Sequence, residues 1–87
     1  MSQIKLQQLD NNWVNASTIF TPVSDKTYYL QNRGNDYMVA CEGSQVPTDM
    51  SGVYIAPHKM ARYKLGSQNL YLRAHNGTCS VNISDED

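Results

Sequence analysis

From residue 60 to residue 84 the chain alternates apolar and polar side chains, and turn pairs interrupt the alternation at Gly66-Ser67 and Asn76-Gly77. A period of two belongs to strands with one buried face, whereas helical spacing of three and four is nearly absent. Tyr, Val, Ile and Thr carry the apolar positions, and a third turn pair, Gly34-Asn35, repeats the punctuation upstream. This pattern predicts an all-β chain: a single small antiparallel β-sandwich or jelly-roll-like barrel built from hairpins.

Register sharpens the expectation. Asn-Gly is the strongest signal for a two-residue type I′ turn. With Asn76-Gly77 as that turn, Ala74 faces Cys79, Leu72 faces Val81 and Leu70 faces Ile83. With Gly66-Ser67 as a II′ turn, Tyr63 faces Leu70 and Ala61 faces Leu72. Strands near 60–65, 68–75 and 78–84 would then form a meander. Ala61, Tyr63, Leu65, Leu70, Leu72, Ala74, Cys79, Val81 and Ile83 point to its core side, and Arg62, Lys64, Tyr71, Arg73 and His75 to its wet side. A one-residue slip would send every apolar side chain to the other face.

The same argument makes YYLQNRGNDY, residues 28–37, the turn of a second hairpin. Gly34 would supply the positive φ of a II′ turn, with Arg33 and Asp36 flanking it. Leu30 then faces Val39 and Tyr28 faces Cys41, giving an inward row of Tyr28, Leu30, Tyr37, Val39 and Cys41. A short strand over 53–56 should stop at Pro57. Residues 43–52 read as a loop, and 13–20 as a strand or one helical turn.

At 87 residues one domain is expected. Residues 13–84 make the sandwich, residues 1–12 an N-terminal arm or edge strand, and residues 85–87 an acidic tail. Such a chain buries roughly 9,000 Å². If somewhat over half is apolar, burial contributes on the order of 130 kcal/mol at about 25 cal/mol per Å². Ordering the chain costs about the same, at roughly 1.5 kcal/mol per residue. A partner that covers more surface would therefore help, which points to a homo-oligomer or a docked subunit.

The formal net charge is −1. That balance offers no general attraction to nucleic acid or to an anionic membrane. No apolar run approaches the ~20 residues of a membrane span, and the first residues lack the layout of a secretory signal. Cys41 and Cys79 match no metal spacing. Two small buried hydrophobes are the first reading of them and a disulfide between facing strands the second. His58 and His75 lack a Cys, Asp or Glu at ligand spacing, and no nucleophile motif or phosphate loop stands out. The chain therefore reads as a non-enzyme without cofactor or metal.

On the wet face of the expected meander, Arg62, Lys64 and Arg73 would surround Tyr71. Tyrosine and arginine are enriched in protein interfaces, and an aromatic-plus-basic face can also stack single-stranded nucleic acid. The negative net charge favours protein contact. Tyr71, Arg62, Arg73, Tyr29 and Tyr54 are the candidate interaction residues, with Tyr71 as the anchor.

Trp13, the run Tyr29-Leu30-Gln31-Asn32-Arg33-Gly34, Pro47, the segment Gly52 to Pro57, the run Leu70-Tyr71-Leu72-Arg73 and the closing Val81-Asn82-Ile83 together resemble small structural proteins of tailed bacteriophages. The resemblance implies a virion component, made in the host cytoplasm, that decorates or stabilises the capsid or lies near the head–tail junction. It also implies the major capsid protein or other virion subunits as partners, and no catalytic residues. The resulting expectation is a capsid decoration protein that binds assembled coat subunits. A carbohydrate-binding module is the alternative and would need Tyr29, Tyr54 and Tyr71 aligned on one face. A head–tail connector component or a single-stranded nucleic-acid binder comes third.

Overall fold

A computed structural model describes residues 2–86. Met1 of the expected arm and Asp87 of the acidic tail lie outside the described residues. Among the described residues eight strands form, close to where the alternation places them. They are β1 (Ser2–Leu9), β2 (Val14–Asn15), β3 (Thr27–Asn32), β4 (Met38–Gly43), β5 (Val53–Ile55), β6 (Met60–Lys64), β7 (Asn69–Ala74) and β8 (Cys79–Asp85). Between β2 and β3 lies a short 3₁₀ turn, Ala16–Thr18, where the Asn15 side chain accepts from the Ser17 N–H. The segment 13–20 is thus both a strand and a turn.

The strands build two four-stranded antiparallel sheets, the first ordered β1-β8-β3-β6 and the second β2-β7-β4-β5. They face one another as a small β-sandwich. Leu9, Tyr28, Leu30, Val81 and Ile83 of the first sheet meet Met38, Ala40, Ile55, Leu70, Leu72 and Ala74 of the second in one core. Burial of this apolar surface is what holds the layers together.

The strand pairing differs from the expected meander. Strand β7 pairs with β2 and β4, β8 with β1 and β3, and β6 with β3, so β6, β7 and β8 are not hydrogen-bonded to one another. Gly66-Ser67 and Asn76-Gly77 are arches that carry the chain from one sheet to the other. Gly34-Asn35 is a third arch, because β3 and β4 also lie in different sheets. Among the described residues, only β4 and β5 follow each other within one sheet. An arch and a hairpin place the same apolar rows inward; they differ in whether the rows sit side by side or face to face. Leu70, Leu72 and Ala74 therefore do face the side of Cys79, Val81 and Ile83, but across the core.

The backbone confirms that these turns are not hairpin turns. Positive φ occurs at Asp25, His58 and Gly52, and not at Gly34, Asn76 or Gly77. Gly34 is needed for a different reason: a Cβ there would stand 2.6 Å from the Cys79 Cα. The inward row of β4 is also shifted by one. Met38 and Ala40 are buried in the core, while Tyr37 is exposed and Cys41 is half-buried on the outer side.

The N-terminal segment takes the edge position of the first sheet, and Leu9 enters the core. The other end is equally engaged. Ser84 is buried, Asp85 closes β8 with an ion pair to Lys26 at 3.3 Å, and Glu86 meets Arg62. Both cysteines are free thiols. Burial, with the nearby Asp36 charge, pushes the Cys79 thiol up to about 11.

Candidate functional site

The five candidate interaction residues do not share a face. Tyr71, Arg73 and Tyr54 lie on the outer side of the second sheet, whereas Tyr29 and Arg62 are directly paired on the outer side of the first. Arg62 and Arg73 therefore do not flank Tyr71 together. Tyr71 itself is only 5% exposed, between Asn15 and Cys41 on the neighbouring strands, so it is not an exposed anchor.

On the second sheet the outward residues form a continuous row. Strand register sets Arg73 beside Val39 and Val39 beside Tyr54, and Trp13 precedes the Val14–Leu72 pair, which brings it next to Arg73. The Arg73 guanidinium stands 5.6 Å from the centre of the Trp13 ring, a cation–π contact. Its Nε donates to the Ala74 carbonyl at 3.0 Å and its Nη2 to the His75 carbonyl at 3.2 Å. Tyr54 packs edge-to-face on His75 with ring centres 5.6 Å apart, and its hydroxyl donates to the Met50 carbonyl at 2.8 Å. The His75 N–H donates to the Tyr37 carbonyl, extending the β4–β7 ladder so that Tyr37 joins the same face.

This face is already ordered. Val39 is fully buried although it points away from the core. Around it, Tyr37 and Tyr54 remain 47% and 45% exposed. A side chain whose polar end is satisfied by a backbone carbonyl, as at Tyr54 and Arg73, loses little rotamer freedom on meeting a partner, which favours binding.

Two carboxylates hold the arches that frame the sandwich. Asp36 Oδ2 accepts from the Asn76 and Gly77 N–H groups at 2.7 and 2.8 Å, and Oδ1 from Tyr37 at 2.9 Å. Glu42 accepts from the Tyr63 hydroxyl at 2.6 Å, and from the Gly66 and Gln68 N–H groups at 3.1 and 3.4 Å. A side chain at Gly66 would collide with that carboxylate. The Gly77 and Asn76 amides hold the Asp36 carboxyl below the usual carboxylate range, and the Tyr63 hydroxyl does the same for Glu42. Arg33 and Asp36 thus do not work as the expected flanking pair.

A fully buried Asn32 ties the third arch to β5. Its Nδ2 donates to the carbonyls of Asp36 and Ile55 at 2.7 and 3.0 Å, while Oδ1 accepts from the Gly34 N–H at 2.9 Å. Each polar atom of the side chain is satisfied, as burial requires.

The outer face of the first sheet is looser. Leu6, Asn82, Gln31 and Met60 form one cross-strand row, and Ser84, Tyr29 and Arg62 another. Arg62 Nε and Nη2 both reach Glu86 Oε1 at 2.9 Å, and the Tyr29 hydroxyl donates to the same oxygen at 3.3 Å. Comparison with protein-family models, with curated proteins and with solved structures finds no match to this chain.

Sequence reasoning placed Tyr54, Arg73 and His75 on an outward face, turned Tyr37 inward and passed over Trp13 as a partner. The available signal was the run Tyr37-Met38-Val39-Ala40-Cys41, apolar on both parities. Such a run marks a strand covered on both sides, which alternation alone cannot orient.

Proposed function

We propose that the protein is a virion structural subunit that docks on assembled coat protein, and that the outer face of its second sheet is the docking surface. The setting rests on the resemblance to tailed-phage structural proteins. The surface rests on one observation: the row Trp13, Arg73, Val39 and Tyr54, pre-ordered beside the exposed Tyr37. Tyr, Trp and Arg are the side chains that most often dominate interface energies when they sit on a rigid base. Tyr54 replaces Tyr71 as the anchor, because Tyr71 is buried.

The same pair of exposed rings, Tyr37 and Tyr54, supports a second reading as a carbohydrate-binding module. The alignment expected for that reading fails at Tyr29 and Tyr71, but Trp13, Tyr37 and Tyr54 supply another on one face. One experiment separates the two. Purified protein is mixed with empty expanded shells of tailed-phage coat protein, and in parallel with glycan arrays. Saturable shell binding that raises the temperature of shell disruption, and weakens at least about tenfold in Tyr54→Ala, supports docking. Glycan binding without shell binding replaces it with the second reading.

A further inference from the structure

A sandwich of two open sheets has four edges, and three of them here are protected against further pairing. Strand β2 has two residues and turns into the 3₁₀ segment. Strand β5 has three, followed by Pro57 and by His58 at a φ of 64°. Strand β6 carries Arg62 and Lys64 within five residues. Short strands, proline and cationic side chains are the usual means by which edges are kept from pairing.

Strand β1 lacks most of this protection. It has eight residues, spans about 26 Å, and carries one charge, Lys5. Among the described residues no strand pairs with its outer side. Ile4 and Leu6 are 37% and 52% exposed. Two protective devices are present, the bulge between Gln3 and Lys5 and Lys5 itself, which pairs with the core-facing Ile83, but from Lys5 to Leu9 the ladder with β8 is unbroken.

We infer that the β1 edge is the site at which a second copy of this chain adds, antiparallel, joining two four-stranded sheets into one of eight strands across a two-fold axis. Pairing about an axis normal to the sheet keeps inward and outward rows in phase only if it centres on a residue. Centring it on Gln7 uses the whole regular stretch. Lys5 then lies opposite Leu9 of the partner subunit, Leu6 opposite Gln8 of the partner subunit, and the two Gln7 side chains meet at the axis. The two Lys5 ammonium groups sit about 13 Å apart along the strands, beyond a Debye length at physiological salt. With a net charge of −1 per copy, repulsion between subunits is small. Because the other three edges are blocked, the pairing closes as a dimer and does not grow.

The test is sedimentation equilibrium on the full chain, with charge variants at the axis. Gln7→Lys places two cations directly opposite each other, and Gln7→Glu two anions, each of which destabilises a cross-strand pair. Each variant alone should dissociate at least about tenfold more readily than wild type, and an equal mixture should restore dimers. Wild-type hydrogen exchange adds a readout that needs no variant: amides within residues 5–9 should slow as concentration rises. A wild-type chain that remains monomeric at about 1 mM, dimers indifferent to both charges, or open-ended filaments would each overturn the inference.

Discussion

Tyr71 and Tyr29 occupy equivalent places, outward positions on inner strands of the two sheets, yet Tyr71 is buried and Tyr29 is half-exposed. The difference lies in what their neighbours are fastened to. On the outer face of the second sheet, Arg73 and Tyr54 donate to backbone carbonyls. On the first, Arg62 and Tyr29 meet the side chain of Glu86, itself exposed near the end of the chain. The partners on the second sheet are backbone groups, and the partner on the first is one exposed side chain. The second sheet therefore buries Tyr71 and Val39 on its outer face, whereas the first leaves Tyr29 half-exposed on its own.

The largest expected effect follows from that contrast. Tyr71→Ala should cost about 3–5 kcal/mol, the range for a buried aromatic, despite its outward direction. Tyr29→Ala should cost less than about 1 kcal/mol. Chemical denaturation of the two variants measures both. Equal losses would mean that the outer faces are packed alike and that the contrast is false.

Much of the fold was legible. Strand positions over 60–85 and the inward rows of β6, β7 and β8 follow from alternation, because burial acts on side-chain parity. The pairing was not legible for the same reason: Leu72 opposite Val81 satisfies the pattern whether they share a sheet or face across the core. The choice of arches depends on contacts far apart in sequence, Asp36 on Asn76-Gly77, Glu42 on Gly66–Gln68 and the buried Asn32 on Ile55. No local propensity announces such contacts. Of the candidate surface, Tyr54 and Arg73 were readable. His75 was readable too, two residues from Arg73 on the wet side; Trp13 and Tyr37 join them through pairing between β2, β7 and β4, which only the topology supplies.

A smaller effect tests the carboxylate anchors. Asp36 and Glu42 titrate lower in the folded chain than in the unfolded one. Their contribution is therefore complete above the ordinary carboxylate range, near pH ~4, and is lost as pH falls through the folded values. Stability should decline on acidification, and Asp36→Asn with Glu42→Gln should flatten that decline. Thermal melts of wild type and the double variant between about pH 2 and pH 7 read the slope. An unchanged slope would move the acid sensitivity to other carboxyls.

The smallest effect should come from the first sheet. The Arg62–Glu86 pair is solvent-exposed on both sides, and exposed ion pairs gain little because water and salt screen them while two long side chains lose freedom. Arg62→Ala should leave the melting temperature within measurement scatter, at low and at high salt alike. It should also leave shell binding intact, since Arg62 lies on the face opposite Tyr54. Binding that weakens in Arg62→Ala but not in Tyr54→Ala would reverse the assignment of the two faces. The looser face would then be the one that orders on contact, and the packed face a second layer of structural support.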